Sequence, residues 1–211
     1  MNISEIRVMK VENHSILKAY VNITFNHALS IKGMRIIQGK ERIYVSMPSV
    51  HINDKYINKA FPINQEVREE MERYVLSVYE ELLNNNLYTL TKSFETDNEL
   101  IVSEISVKKL SCDNCIRAVV NLVINNEFAL MDIILMNKDD HYFIGMPSKK
   151  VNNDFYEYFH PINFKTRNQL EYLITSLYSN MTNNQLRTIN MNKSLFFDDH
   201  LELAYQEKKI I

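Results

Sequence analysis

The segment ISEIRVMK at residues 3–10 returns 99 residues later as VSEISVKK at residues 102–109. Placing residues 3–82 on residues 102–181 without a gap matches 20 identical residues in 80 pairs. A period of this length exceeds the roughly 20–50 residues of a solenoid repeat and approaches the size of a small domain. The chain therefore contains two tandem copies of one fold.

The duplication divides the chain of 211 residues into four segments. Repeat 1 covers residues 1–83, a linker covers 84–101, and repeat 2 covers 102–182. The C-terminal extension, residues 183–211, is predicted to be helical, with the helix at about 194–207. Duplicated folds often descend from symmetric homodimers, so we expect the repeats to pair within the chain about a near two-fold axis.

Each repeat is predicted to form four strands followed by one helix. In repeat 1 the strands are expected at residues 3–11, 16–26, 29–37 and 42–47, because apolar and polar residues alternate there between polar turns. Residues 50–60 are predicted to be a loop or an irregular hairpin. The fold class is therefore α+β, with two tandem four-stranded antiparallel sheets, each with a C-terminal packing helix, arranged as an intrachain pseudo-dimer.

The two predicted helices share their starting signal. Asn64 and Asn163 follow a proline and are predicted N-caps, since an asparagine side chain accepts a hydrogen bond from the first turn. In the second strand of repeat 2, Val119 and Val123 occupy the face that is polar in repeat 1. A sheet that is apolar on both faces is usually covered on both, so we expect the repeat interface to bury these valines.

Composition limits the functional classes. The formal net charge of −2 gives no bulk electrostatic signal for nucleic acid, so a basic surface would have to come from local clustering. The sequence has no apolar run of the roughly 18–20 residues that a membrane helix needs, and its N-terminus lacks a signal-peptide pattern. We therefore expect a cytoplasmic protein with no membrane partner.

The sequence offers weak evidence for a metal site and none for catalysis. Cys112 and Cys115 could supply half of a tetrahedral zinc site, but no second cysteine pair exists. An incidental pair in a turn is the favoured interpretation, and a metal shared between chains or a redox-sensitive pair are the alternatives. The histidines show no metal-binding spacing and no nucleophile motif is present, so we predict no catalytic residue, no metal and no cofactor.

Short motifs in both repeats carry a family resemblance. Repeat 1 contains MRII at residues 34–37, VSMPS at 45–49 and FPIN at 61–64, and repeat 2 contains IGMPSKK at 144–150 and HPIN at 160–163. This pattern resembles the SpoVG family, the stage V sporulation protein G or septation-regulator family. In that family a strand ending in MPSKR is followed by HPIN and then by a helix with an early arginine.

The resemblance implies a function that spacing alone does not. Members of the family are small bacterial cytoplasmic proteins that dimerise, bind nucleic acid and act in gene regulation linked to sporulation and septation, without enzymatic activity. The resemblance therefore implies a non-catalytic regulator that binds DNA or RNA. Pairing of the repeats would replace the homodimer of the family, although a further homodimer of the whole chain is an alternative.

The resemblance also nominates binding residues, because each copy keeps only part of the basic pattern. The candidate nucleic-acid-binding residues are Arg35, Lys40, Arg42, Lys149 and Lys150. Ile134 replaces the arginine in repeat 2, and Val50 and His51 replace the lysine pair in repeat 1. The copies have either specialised into one composite site or lost binding, which would leave a protein-interaction module or scaffold. A composite site requires the five cations to share a face.

The early arginines of the two helices, Arg68 and Arg167, match between the copies. A cation near a helix N-terminus opposes the helix dipole, so a specific partner is expected. We favour a salt bridge that fixes the helix to the sheet.

Overall fold

A computed structural model of the chain describes residues 1–12, 15–96, 99–111, 115–139, 141–181 and 186–194. Repeat 1 and the linker form β1 (Ile3–Lys10), β2 (Leu17–Phe25), β3 (Leu29–Gln38), β4 (Ile43–Ser46), β5 (Ser49–Ile52), β6 (Lys55–Asn58), β7 (Ala60–Pro62), α1 (Gln65–Asn84) and β8 (Thr89–Ser93). Repeat 2 and the extension form β9 (Ile101–Lys109), β10 (Ile116–Ile124), β11 (Phe128–Lys138), β12 (His141–Gly145), β13 (Ser148–Val151), β14 (Asp154–Glu157), β15 (Phe159–Pro161), α2 (Phe164–Ser179) and β16 (Leu186–Ser194).

The predicted elements of repeat 1 are present. β1 to β4 agree with the four predicted strands to within one residue at each end, and residues 50–60 form most of the β5–β6 hairpin and the start of β7. Asn64 Oδ1 accepts from Val67 N at 2.9 Å and Asn163 Oδ1 accepts from Thr166 N at 2.8 Å, so both predicted N-caps are confirmed. The α+β fold class is likewise confirmed.

In the described part of the chain, the strands form two large antiparallel sheets with six strands each, rather than four. Sheet 1 has the order β15-β3-β2-β1-β8, with β4 also paired to β3; sheet 2 has the order β12-β11-β10-β9-β16, with β7 also paired to β11. The prediction missed two strands in each sheet. One follows each helix, and the other is a short strand that comes from the opposite repeat.

The short strands are exchanged reciprocally. Residues 60–62 of repeat 1 pair with residues 128–130 in β11, and residues 159–161 of repeat 2 pair with residues 29–31 in β3. These two pairings are equivalent under the offset of 99 residues. Buried apolar side chains from both repeats form one continuous cluster, so neither repeat completes its sheet or its core alone.

Contacts between counterparts locate the axis that relates the repeats. Asn125 Nδ2 donates to Asn26 Oδ1 at 2.7 Å, and these residues are 99 positions apart. Equivalent residues of two copies can touch each other only near the axis between the copies. Beside them the rings of Phe25 and Phe128 lie 4.9 Å apart between centroids. The predicted intrachain pseudo-dimer is confirmed.

Each helix covers the outer edge of the fourth strand of its own repeat. Arg68 Nη2 donates to Val45 O at 3.2 Å, while Glu72 Oε1 accepts from Val45 N at 2.9 Å. Arg167 and Glu171 make the same two contacts with Ile144, at 3.1 and 3.3 Å. The early arginines therefore do fix helix to sheet, but their partners are backbone carbonyls and not the predicted carboxylates. An unpaired strand edge exposes backbone groups that favour aggregation. These contacts, called here the helix clamp, satisfy backbone groups at the edges of β4 and β12.

Replacing Glu72 with alanine should destabilise the protein. Glu72 is 5% exposed, and its removal leaves the buried amide of Val45 without an acceptor. An unsatisfied buried donor costs about 1–3 kcal/mol, so thermal or urea unfolding should show a loss of this size. Glu80→Ala, at an exposed position of the same helix, should change stability by less than about 0.5 kcal/mol. Equal effects of the two variants would contradict the clamp.

Two expectations outside the repeats are corrected. The linker contains β8, which pairs with β1, and the extension contains β16, which pairs with β9. Residues 186–194 are thus extended and not helical, because they complete the edge of sheet 2. The rest of the helix predicted at 194–207 lies outside the described residues. Within the described segments, neither helix has the length and apolar character needed to cross a membrane.

The burial predicted for Val119 and Val123 is also corrected. Both are half-buried on the outer face of sheet 2, which points away from the shared core. Val119 pairs with Ile134, and Val123 lines a groove with Ile63 and Met191. The repeat interface consists mainly of exchanged strands and a common core, and it leaves both valines only half-buried.

Candidate nucleic-acid interface

A groove of about 600 Å³ lies on the face of sheet 1 opposite the hydrophobic core. Its floor comes from β1, β2 and β3, and its wall comes largely from the β13–β14 hairpin and the start of β15. The lining residues are Met9, Tyr20, Asn22, Lys32, Gly33, Arg35, Ser49, Ser148, Lys149, Phe155, Tyr156, Glu157, Tyr158 and His160. Side chains from both repeats thus line one concave surface, called here the composite groove.

Strand alternation places Arg35 in the composite groove. Its neighbours in β3, Met34 and Ile36, are fully buried in the core, so Arg35 occupies the opposite face. There it is paired across the strands with Tyr20 on one side and Ser46 on the other. The aliphatic part of an arginine can lie along such a face while its guanidinium remains available to an anion.

Lys149 reaches the same groove through the strand exchange. It belongs to β13, whose partner β14 is followed after one residue by β15. Because β15 is a strand of sheet 1, the β13–β14 hairpin of repeat 2 lies over the sheet of repeat 1. The exchange therefore brings Lys149 and Arg35 together, although 114 positions separate them in the sequence.

A β-bulge adds Lys32 to the groove. In a regular strand, residues three apart point to opposite faces, so Lys32 and Arg35 should not share one. The pairing of β2 with β3 shifts between Val21 and Ile23, and Gly33 has a φ of +76°. The bulge therefore inserts one extra residue into β3, so Lys32 lies on the outer face together with Arg35. Sequence reasoning missed Lys32 because it assumed unbroken alternation.

The other three predicted cations do not line the groove. Lys40 is exposed in the turn between β3 and β4. Arg42 Nη1 donates to Glu72 Oε2 at 3.0 Å and so contributes to the helix clamp. Lys150 shares the hairpin with Lys149, and its Nζ lies 5.9 Å from the centroid of the Phe155 ring. Of the five candidates, the structure brings only Arg35 and Lys149 into one groove.

His160 is a further lining residue, which sequence reasoning considered as part of the HPIN motif and, with the other histidines, set aside as a catalytic residue. It is half-buried, and its Nδ1 lies 3.9 Å from Glu157 Oε2. Burial lowers the pKa of His160, and the cations of Lys32 and Arg167 lower it further, against the opposing effect of Glu157. The imidazole is therefore neutral at pH 7. The charge of the groove then comes from Lys32, Arg35 and Lys149 against Glu157.

The corresponding face of sheet 2 carries a different set of charges, with Lys108 and Lys59 at the counterparts of Met9 and Tyr158. The cross-strand pair of Tyr20 and Arg35 is replaced there by Val119 and Ile134. By the same offset, Lys149 corresponds to Val50, and Lys32 corresponds to Met131. The two faces of the pseudo-dimer have therefore diverged.

The bulge position has also diverged. Gly33 corresponds to Asp132, which keeps the left-handed conformation with a φ of 64°. Asp132 forms an ion pair with Lys59, which neutralises a cation on this face. Lys59 corresponds to Tyr158 of the composite groove, so the composite groove lacks this pair.

No metal centre is apparent among the described residues, where no three His, Cys, Asp or Glu side chains are grouped so as to hold an ion. Cys115 is exposed. Cys112 lies outside the described residues, so the alternatives for the cysteine pair stay predictions.

Comparison with known proteins agrees with the motifs. The SpoVG family model matches residues 1–81 and 100–180. A Treponema denticola protein named as septation protein SpoVG is 43% identical over 81 residues, which cover 38% of this chain and 87% of the relative. Relatives of the same name are 40% identical over 81 residues in Myxococcus xanthus and 34% over 83 in Staphylococcus aureus. These alignments cover 38% and 39% of this chain and 81% and 83% of the relatives.

Each of these relatives is thus about as long as one repeat. Each alignment spans one copy, whereas this chain carries two diverged copies whose strands are exchanged. The chain belongs to the SpoVG family and contains two tandem copies of the family's fold.

Proposed function

We propose that this chain is a non-catalytic regulatory protein that binds nucleic acid, and that DNA or RNA binds in the composite groove. One observation carries the proposal: cations from both repeats, Arg35 and Lys32 from repeat 1 and Lys149 from repeat 2, line a single groove. Among the residues that the structure describes, Glu157 supplies the only carboxylate of this lining. A protein with a net charge of −2 has thereby concentrated positive charge at one site.

Such an arrangement suits a polyanion. Lysine and arginine that neutralise phosphates release counterions, and this release supplies most of the non-specific affinity for nucleic acid. Backbone contacts of this kind fix the position of the strand without reading its sequence. The names of the relatives support a role in septation, and regulation in the cytoplasm is the setting that we propose.

A gel shift over a range of salt concentrations tests the proposal with mixed DNA and RNA probes. Binding should be modest at about 50 mM salt and should weaken steeply as salt rises, because phosphate contacts dominate. No retention of any probe at that salt concentration would overturn the proposal. Together with capture of a specific protein partner, that result would favour the alternative of a protein-interaction module that has lost nucleic-acid binding.

The double variant Arg35→Ala with Lys149→Ala should remove about two phosphate contacts. The slope of log affinity against log salt should then decrease by roughly 1.4–1.8, since each contact contributes ~0.7–0.9. The control is Lys55→Ala with Lys138→Ala, which removes two cations that are exposed and lie outside the groove. An equal loss of slope in both variants would mean that binding follows overall charge and not the groove. Melting curves of the two variants establish that both remain folded.

A further inference from the structure

We infer that the composite groove takes single-stranded nucleic acid, whose bases stack on Phe155 and Tyr156 while its phosphates contact Lys32, Arg35 and Lys149. The inference rests on the proposed function and specifies the ligand class. Single-stranded DNA and single-stranded RNA share this chemistry, and the experiment below distinguishes them.

Exposed aromatic rings beside the cations are the first support. The exposed fractions are 70% for Phe155, 51% for Tyr156 and 42% for Tyr20. Phe155 and Tyr156 are neighbours in β14, so their rings lie on the two faces of the hairpin, Phe155 beside Lys150 and Tyr156 beside Lys149. Large apolar side chains grouped at the surface usually mark a binding site. A cationic groove combined with aromatic rings is the arrangement that proteins use for single strands, where each stacked base contributes ~1–3 kcal/mol.

The physical state of the bases separates single strands from duplexes. In a duplex the base faces are stacked on one another, so they cannot stack on a protein ring without unwinding. Unpaired bases present free π-faces and can enter a concave site. The groove volume of about 600 Å³ is in the range of small-molecule pockets, which suits splayed nucleotides better than the surface of a duplex.

The divergence of the repeats provides independent support. Where the composite groove has Arg35 and Lys149, the opposite face has Ile134 and Val50; its lysines are Lys108 and Lys59, and Lys59 is ion-paired with Asp132. Two of the three exposed rings are lost with these cations, because Val119 corresponds to Tyr20 and Ile57 corresponds to Tyr156. Replacement of these cations together with aromatic rings is expected if one ligand contacts both. Phe155 alone keeps an aromatic counterpart, Tyr56, which is 74% exposed.

Phe155 and Tyr56 provide a matched test, because each can be replaced with tryptophan in a chain that otherwise contains none. In the full-length protein, Phe155→Trp places a single tryptophan in the composite groove, and Tyr56→Trp places one on the equivalent hairpin of the other repeat; its emission is recorded with excitation that tyrosine does not absorb. Titration with a single-stranded DNA of about 12 nucleotides should quench the fluorescence of the Phe155→Trp variant by base stacking and leave that of the Tyr56→Trp variant nearly unchanged. Equal quenching in both variants, or none in the Phe155→Trp variant despite binding, would overturn the inference.

Affinity measurements complete the test. Fluorescence anisotropy compares labelled single-stranded DNA, single-stranded RNA and a blunt duplex of the same sequence at the same salt concentration. Both single strands, or one of them, should bind more tightly than the duplex. Phe155→Ala should weaken single-strand binding about 5- to 150-fold, the equivalent of ~1–3 kcal/mol per stacked base. The salt slope should stay unchanged, because no phosphate contact is removed.

The two proposals fail in different ways. Duplex binding as tight as single-strand binding, with Phe155→Ala neutral and Arg35→Ala weakening, would overturn the single-strand inference and leave nucleic-acid binding intact. Absence of binding to every probe at about 50 mM salt would overturn the proposed function itself.

Discussion

Replacing Phe128 with alanine is expected to lower the free energy of unfolding by about 3–5 kcal/mol. Phe128 is fully buried, its ring lies 4.9 Å from that of Phe25, and its backbone pairs with Pro62 of the exchanged strand. The substitution opens a cavity where the repeats meet. Because the core is continuous, both repeats should lose stability together and unfold in one transition at a lower temperature.

Calorimetry or urea unfolding followed by circular dichroism measures this effect. Phe155→Ala is the matched control, since it deletes the same side chain from a position that is 70% exposed. That control should change stability by less than about 0.5 kcal/mol. Two separate transitions in the Phe128 variant, with only one displaced, would show that the repeats are independent domains and would contradict a shared core.

Replacing Gly33 with aspartate is expected to weaken nucleic-acid binding by about 1–4 kcal/mol, the Coulomb energy of a unit charge about 4 Å from another at a protein surface. Gly33 lines the composite groove, and its counterpart Asp132 shows that aspartate adopts the left-handed conformation at this position. In the composite groove the position of Lys59 is occupied by Tyr158, so the new carboxylate would lack the partner that Asp132 has. It would repel phosphate and attract Lys32 or Arg35.

The control variant Gly33→Asn separates the effect of the new charge from the effect of backbone strain. Asparagine tolerates a positive φ about as well as aspartate does, and a Cβ at this position meets no atom within 4 Å. Both variants should therefore melt at similar temperatures, while only the aspartate variant should lose most of its affinity in anisotropy titrations at low salt. Equal affinities of the two variants would place the phosphates elsewhere on the protein.

Much of the fold could be predicted because its determinants are local. Alternation over residues 16–26 places Val21 and Ile23 on one face whatever the strand later pairs with. Asn64 and Asn163 cap their helices through contacts three residues away. The offset of 99 residues established the duplication, and the family motifs nominated Arg35 and Lys149.

Tertiary structure alone decided how these parts meet. Residues 60–62 pair with β11, and residues 159–161 pair with β3. Because β3 and β11 are equivalent strands of the two repeats, periodicity cannot reveal which of them each short strand joins. β8 and β16 are polar edge strands with little apolar pattern, and they form because β1 and β9 offer free backbone groups.

The site depends on the same non-local geometry. The bulge at Gly33 reverses the face of Lys32, and the exchanged β15 carries the hairpin of Lys149 onto the sheet that holds Arg35. The sequence by itself thus determined that there are two copies, which strands and caps each contains, and which cations each retains. Which of these cations share one groove was decided by strand pairing between distant segments, because such pairing depends on the closure of the whole core and not on any local pattern.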